Sequence, residues 1–270
     1  MGSRRVRPLI VDIQFNQGSA PWSQLVEGVH AAEEAGFGTV WNLDHFSGAM
    51  FGADTMLECF SVLAGWASVT TRIGVGSLVA NVVNRTPAML AHAAASIQNI
   101  SGGRLVLGVG AGSSPASEFG KEQRVLGIDM LPRMADRHVR LVETIEEVRR
   151  IWSAAGSGDF AGFARPMPAP PIVAGINSAG LARLAGRHLD GVNIRWNHPE
   201  RGELLAAAHE ASGGRDDFDL SVWMWFDPAL ADADHPVRRE LAAEGVTRIV
   251  LFERSAPNPV VIAAAASHLR

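Results

Sequence analysis

Eight short apolar runs separated by helical periods predict an α/β fold of the (β/α)8 TIM-barrel type, formed as one domain over residues 1–270. Three observations carry this expectation. Strand-like and helix-like stretches alternate along the chain, which is the pattern of a parallel sheet covered by helices. The count is eight, whereas an open doubly wound sheet usually needs about five to seven strands. A hydrophobic content of 47% with 19% charged residues is enough to bury a large core, and no charge block or low-complexity tract divides the chain.

The elements follow in order. The first strand is expected in "LIVDIQF" (9–15), and "WSQLVEGVHAAEEAG" then recurs with a helical period. "TVWNL" (39–43) precedes the helix "TMLECFSVLAGWASVT", and "IGVGSLVA" (73–80) precedes the Pro-initiated helix "PAMLAHAAASIQNI". "RLVLGVG" (104–110) leads towards the long helix "PRMADRHVRLVETIEEVRRIWSAA", whose charges read as a solvated face. A Gly/Pro-rich insertion, "AAGSGDFAGFARPMPAPP" (154–171), separates it from "PIVAG" (171–175) and "AGLARLAGRH". "GVNIRW" (191–196), "DLSVWMWF" (219–226) and "TRIVLF" (247–252) complete the strands, with "PERGELLAAAHEA", "PVRRELAAEG" and "PNPVVIAAAASHL" as their helices.

Composition narrows the function classes. A net charge of -4 and the lack of any Lys/Arg run exclude a basic footprint for nucleic acid. Cys59 is the one cysteine, so there is no internal disulfide framework, and a reducing cytoplasm is the expected location. The opening "MGSRRVRPLIVDIQF" is too short in apolar residues for a signal sequence, and no run approaches the ~18 apolar residues of a membrane span. The histidines never occur at metal-ligand spacing with a carboxylate, so no metal is expected. No serine lies in a G-x-S-x-G turn and no thiol is placed as a nucleophile.

In a barrel of this type catalytic groups sit where strands end at the C-terminal face. Asp44 and His45 fall there after the second strand, and the imidazole is the side chain suited to proton exchange near neutral pH. The alternative for this pair is to cap or satisfy a loop backbone. Other polar positions ring the same mouth, among them Gln14 and Asn16, Asn81, Ser113, Asn177 and Ser178, Arg195 and Glu253. Of the seven tryptophans, only Trp196 and Trp225 stand near strand ends in a way that points to a ligand.

Two glycine-bearing loops add to this. "GVGAGSS" (108–114) follows the fourth strand and lets backbone approach a ligand, but it lacks the G-x-G-x-x-G spacing of a dinucleotide fingerprint, and "PASEFGKEQ" after it shows no immediate helix. "GINSAGLARLAG" (175–186) ends a strand and begins a helix, with Asn177 and Ser178 placed to cap and free N–H groups pointing at an arriving anion. A phosphate site and an ordinary capped helix are both compatible with that segment.

"AGFGTVWNLDHF", "TTRIGVGSLVANVVNRTPAMLAHAAASIQNISGGRLVLGVGAG" and "PPIVAGINSAGLARLAGRHLDGVNI" together resemble the bacterial luciferase-like monooxygenase family of flavin- and deazaflavin-dependent oxidoreductases, over nearly the whole chain. "SGGRLVLGVGAG" after a Pro-initiated helix is the most specific stretch. The resemblance implies a flavin or deazaflavin ring in the C-terminal mouth and its phosphate after strand five. It implies that His45 exchanges a proton beside the ring with Asp44 as its neighbour, and that a non-prolyl cis peptide at Leu78–Val79 backs the ring with Asn81 at its edge. Ala111 and Gly112 would touch the cofactor through backbone, and Asn177, Ser178, Ala179 and Gly180 match the phosphate loop.

The implied activity is hydride transfer between coenzyme F420 and a small organic substrate. The alternatives are an FMN-dependent monooxygenase fed by a separate reductase, and a non-catalytic flavin-binding barrel. Family members usually pair, so a homodimer through the second and third helices is expected. Two departures speak against sugar-phosphate dehydrogenase activity: Ser113 stands where those members carry an acid, and Gly48 and Ala49 stand where they carry an indole.

Overall fold

The computed structural model describes residues 9–269. Strands β1 (Ile10–Phe15), β2 (Thr39–Asn42), β3 (Gly74–Asn81), β4 (Leu105–Gly110), β5 (Ile172–Gly175), β6 (Gly191–Arg195), β7 (Asp219–Trp225) and β8 (Arg248–Glu253) pair in chain order, all parallel, and β8 closes on β1. Helices α1 (Trp22–Ala35), α2 (Cys59–Val69), α3 (Pro87–Ile100), α4 (Lys121–Val125), α5 (Met134–Ala154), α6 (Ala179–His188), α7 (Arg201–Ala211), α8 (Pro236–Ala243), α9 (Pro259–Ala264) and α10 (Ala266–Leu269) lie between successive strands or after the last. The TIM barrel is therefore present. Both ends of the expected 1–270 domain fall outside the described residues.

All eight strands fall within one or two residues of their expected positions, because each is a short apolar run bounded by turn residues. Helix α3 matches its expected span for visible reasons. Thr86 accepts from the Met89 N–H at 3.3 Å, Pro87 occupies the first turn where its missing N–H costs nothing, and Leu90, Ala91, Ala94 and Ile97 form the buried stripe. Helix α2 starts four residues later than the pattern implied, since the Glu58 carboxylate caps it by accepting from Ser61 N–H at 2.7 Å. The last helix is broken at Ala265. The insertion 154–171 carries a single 3-10 turn over Gly158–Phe160 and a cis Met167–Pro168 bond.

The main apolar cluster lies between the sheet and its helices, and a second one fills the barrel with Trp41, Leu78, Val173 and Val250. Trp41 fits because its register partner on β3 is Gly76, where a Cβ would stand 2.6 Å from the indole. Below that layer Arg248 donates to Asp12 at 2.6 Å and to Asp219 at 2.8 Å, and Trp41 Nε1 donates to Asp12 at 2.7 Å. This ties the N-terminal end of the barrel together with paired charge.

Candidate active site

Strand β2 ends at Asn42, and the next three residues deliver Asp44 and His45 to the C-terminal rim. Asp44 is buried and held on every side. Arg85 grips it with two bonds, Nη1 to Oδ2 at 2.7 Å and Nη2 to Oδ1 at 2.8 Å. Oδ2 also accepts from the Asn81 N–H at 2.8 Å and from Asn84 Nδ2 at 3.2 Å. Arg85 further reaches Glu58 Oε1 at 2.6 Å and lies over the Phe60 ring. Such a fork of charge-assisted bonds fixes the end of β2 to the end of β3. Asp44 thereby sets the frame from which His45 projects, and Arg85 is a participant that the sequence reading did not single out.

His45 has a partner that the sequence reading also missed. Its Nδ1 lies 2.7 Å from Oε1 of Glu122, at the start of α4. Oε2 of the same carboxylate accepts from the N–H groups of Phe46 and Ser47 at 2.8 and 3.0 Å. Burial alone would raise the Glu122 carboxyl, but the imidazole of His45 and these two amides outweigh it and hold the group below the usual carboxylate range. An ionised carboxylate only accepts hydrogen bonds, so the hydrogen between Glu122 and His45 sits on Nδ1. Nε2 has no hydrogen-bond partner among the described residues, and the ring rests edge-on against Phe51 at 4.9 Å. A carboxylate therefore stands beside His45 although Ser113 supplies none. The sequence reading gave "PASEFGKEQ" no immediate helix, and that segment instead folds as a 3-10 turn over Glu118–Gly120 running into α4, which is what turns Glu122 towards His45.

The Leu78–Val79 peptide is cis, as expected, and coincides with a register shift between β3 and β4 at Ser77 and Ala80. The Val79 side chain takes the space beside Gly110, where a Cβ would stand 2.7 Å from it, and lies against Gly175. Gln14, buried inside the barrel, donates to Leu78 O at 2.9 Å and to Asn42 O at 3.2 Å and accepts from Trp223 Nε1 at 2.6 Å. Asn81 Oδ1 accepts from Val83 N–H at 3.2 Å. Gly112 has φ +77°, a conformation that favours glycine, and its missing side chain leaves room beside Asn81. The Ala111 methyl is packed in the core.

Across the mouth, Ser178 caps α6, accepting from Leu181 N–H at 3.4 Å, and the helix begins at Ala179 as the sequence implied. The amides of Ala179 and Gly180 have no partner among the described residues and stand at the positive end of the helix dipole, with Asn177 exposed beside them. Of the two tryptophans singled out, Trp196 packs under the Arg201 guanidinium at 4.0 Å, while Trp225 stands exposed in the mouth. A polar cleft of about 490 Å³ opens beside Asn16, Phe51 and Arg254 on this face. A larger one, about 700 Å³, lies at the opposite end among Ile10, Val106, Asp219 and Arg248, away from His45. Among the described residues no three His, Cys, Asp or Glu side chains are placed to hold a metal ion.

The family model described as luciferase-like monooxygenase matches residues 10–267. The chain belongs to this family. Among curated proteins, this luciferase-like barrel is similar to the F420-dependent hydroxymycolic acid dehydrogenase of Mycobacterium tuberculosis, 30% identical over 255 residues that cover 90% of this chain and 68% of that protein. It is also similar to the F420-dependent glucose-6-phosphate dehydrogenase of Amycolatopsis mediterranei, 30% identical over 177 residues, 62% of this chain and 51% of that one. It thus spans about half the length of several relatives it matches. Among solved structures, an F420-dependent secondary alcohol dehydrogenase in complex with an F420-acetone adduct superposes with a TM-score of 0.79 at 17% identity, over 98% of this chain and 99% of that one. That likeness is one of fold.

Proposed function

We propose that the chain is an F420-dependent oxidoreductase that passes a hydride between the deazaflavin and a small organic substrate, with His45 moving the accompanying proton. The observation that carries this reading is the His45–Glu122 pair at the mouth, with Nδ1 committed and Nε2 free. The F420-dependent relatives support the choice of cofactor.

The residues present fit the cofactor. The bulge at Leu78 and Val79, with Asn81, Ala111 and Gly112, offers backbone and a flat floor to a ring, and Asp44 holds that floor in register with His45. The free amides of Ala179 and Gly180, the Ser178 hydroxyl and the Asn177 side chain form an anion seat suited to its phosphate. F420, when bound, supplies the two-electron carrier. His45 Nε2 takes a proton from the substrate heteroatom as hydride leaves the adjoining carbon, and returns it in the reverse direction. Glu122 stabilises the imidazolium that forms.

The test is spectral titration of the protein with F420 and with FMN, followed by turnover under anaerobic and aerobic conditions. F420 binding with anaerobic hydride transfer to or from a panel of alcohols and carbonyl compounds is the expected result. Oxygen consumption with reduced FMN supplied by a reductase would replace this reading with a monooxygenase, and binding without turnover would leave a non-catalytic barrel. The protein is further proposed to act as a cytoplasmic homodimer. Exposed Val69, Met89 and Ile100 on and beside α2 and α3 support the pairing, and a single-subunit mass in light scattering would overturn it.

A further inference from the structure

The inward row above the barrel core is uneven. On β4 and β5 the last inward positions are Gly110 and Gly175, whereas on β6, β7 and β8 they are large. Arg195 is in register with Trp223, Trp225 lies two residues on and faces the same way, and Phe252 is the register partner of Trp225. The Trp225 and Phe252 rings stack at 5.6 Å and 28°, and Trp223 closes against both at 5.2 and 5.5 Å. Phe51 meets Phe252 edge-on at 6.4 Å and His45 at 4.9 Å. A chain of touching rings therefore runs from the imidazole through Phe51 and the buried Phe252 to the rim, where Trp225 remains 58% exposed.

Two features of this wall are unexplained by packing. The exposed part of the Trp225 indole, at an inward position of β7, is apolar area that a flat ligand covers. Beside it the exposed Arg195 guanidinium lies 5.5 Å from the Trp223 ring and has no carboxylate partner among the described residues. By contrast the Arg254 guanidinium on the other flank is turned to the Phe51 carbonyl, with Nε donating at 3.4 Å. Arg195 is thus the cation set against a ring of the wall itself, while Arg254 lines the cleft beside Phe51. A guanidinium beside an aromatic plane selects a planar body that carries a carboxylate or other anion.

We infer that the Trp223–Trp225–Phe252 wall with Arg195 is the substrate subsite, and that it takes a planar aromatic substrate bearing an anionic group. This rests on the oxidoreductase reading for the reaction, while the subsite itself stands on the wall alone. Its reactive carbon is then presented towards His45 along Phe51, and the anion is held at the β6 edge.

The probes are 2-naphthoate and 2-naphthol, titrated calorimetrically into the full chain with and without F420. The expected result is that naphthoate binds roughly 10-fold or more tightly than naphthol, that Arg195→Gln removes this preference while Arg195→Lys restores most of it, and that Trp225→Ala weakens both probes by about 10-fold. Circular dichroism of each variant checks its fold. Equal affinity for the two probes in the wild type, a preference that survives Arg195→Gln, or unchanged binding in Trp225→Ala would each overturn the inference. F420 affinity is measured on the same samples: intact F420 binding without probe selectivity removes the subsite alone, and probe selectivity without F420 binding removes the cofactor reading alone.

Discussion

Replacing Glu122 by Gln changes one atom from acceptor to donor, and the geometry fixes which way the new amide must turn. Oε2 accepts from two backbone N–H groups, of Phe46 and Ser47, at 2.8 and 3.0 Å, while Oε1 accepts closely from His45 Nδ1 at 2.7 Å and at the longer 3.4 Å from Gln123 Nε2. With its NH2 towards the two backbone donors, the amide would meet two donor–donor conflicts. With its NH2 towards His45 it meets one close conflict, which disappears if the imidazole moves its proton from Nδ1 to Nε2, and one distant one with Gln123 Nε2, which keeps its shorter bond to Asn84 Oδ1 at 3.0 Å. Glu122→Gln is therefore expected to switch the His45 tautomer. Loss of charge from the network lowers stability by about 1–2 kcal/mol, towards the lower part of the ~1.5–3 kcal/mol of one charged hydrogen bond, because Phe46 and Ser47 are exposed and water takes part of their place. Turnover in the direction that requires Nε2 to accept a proton falls by roughly 100-fold or more. The assay is a long-range ¹H–¹⁵N spectrum of the cofactor-free protein, with His45 assigned through His45→Asn. The same tautomer in the wild type and in Glu122→Gln would refute the reasoning.

Other outcomes follow from the same geometry. His45→Asn should keep F420 affinity within about tenfold while cutting turnover by roughly 100-fold, and equal turnover would remove the proton role. Gly180→Pro takes one open amide from the α6 seat, so F420 should bind roughly 10-fold more weakly while a phosphate-free deazaflavin loses little; parallel losses would put the phosphate elsewhere. The Glu122 carboxyl is held low in the folded protein, so its contribution is complete above the ordinary Glu value of about 4.3 and is lost as pH falls through the folded value. Denaturant titrations between about pH 5 and 3 should accordingly show a steeper loss of stability in the wild type than in Glu122→Gln. Arg248→Met strands Asp12, whose carboxyl is buried, and should cost about 3–5 kcal/mol in the same titrations near pH 7, with a change below about 1 kcal/mol counting against the pair.

The barrel was legible because its signals are local. Each strand is a short apolar run, and each long helix shows its own period or its own proline start. Cys59 at the head of α2 shows the limit of such signals, since whether Thr55 or Glu58 begins the helix depends on which side chain wins the cap. In the site, His45 and the α6 start were readable from their place after a strand. Glu122 was not, because it comes 77 residues later in a stretch with no periodicity, and only folding brings it to the imidazole. Arg85 was equally hidden: "NVVNRTP" carries no pattern that distinguishes a surface arginine from one that clasps Asp44 and Glu58. The wall of Trp223, Trp225 and Phe252 lay between these extremes. Trp225 stood out by its position, but the stacking that makes a surface of it depends on the β7–β8 register.

The Gln14 amide has a bearing on anyone who wishes to redesign this protein. Both its nitrogen and its oxygen are engaged, the first on the carbonyls of Leu78 and Asn42 and the second on the Trp223 indole. Its orientation is consequently single-valued, and the tryptophan is wired through it to the bend in β3. A library that varies Trp223 for a new substrate will disturb the bend at Leu78 and Val79, where we propose that the cofactor rests, so gains in selectivity and losses in loading are expected together. Trp225, one pleat further out and with no side-chain hydrogen bond among the described residues, is the position where the two can be tuned apart.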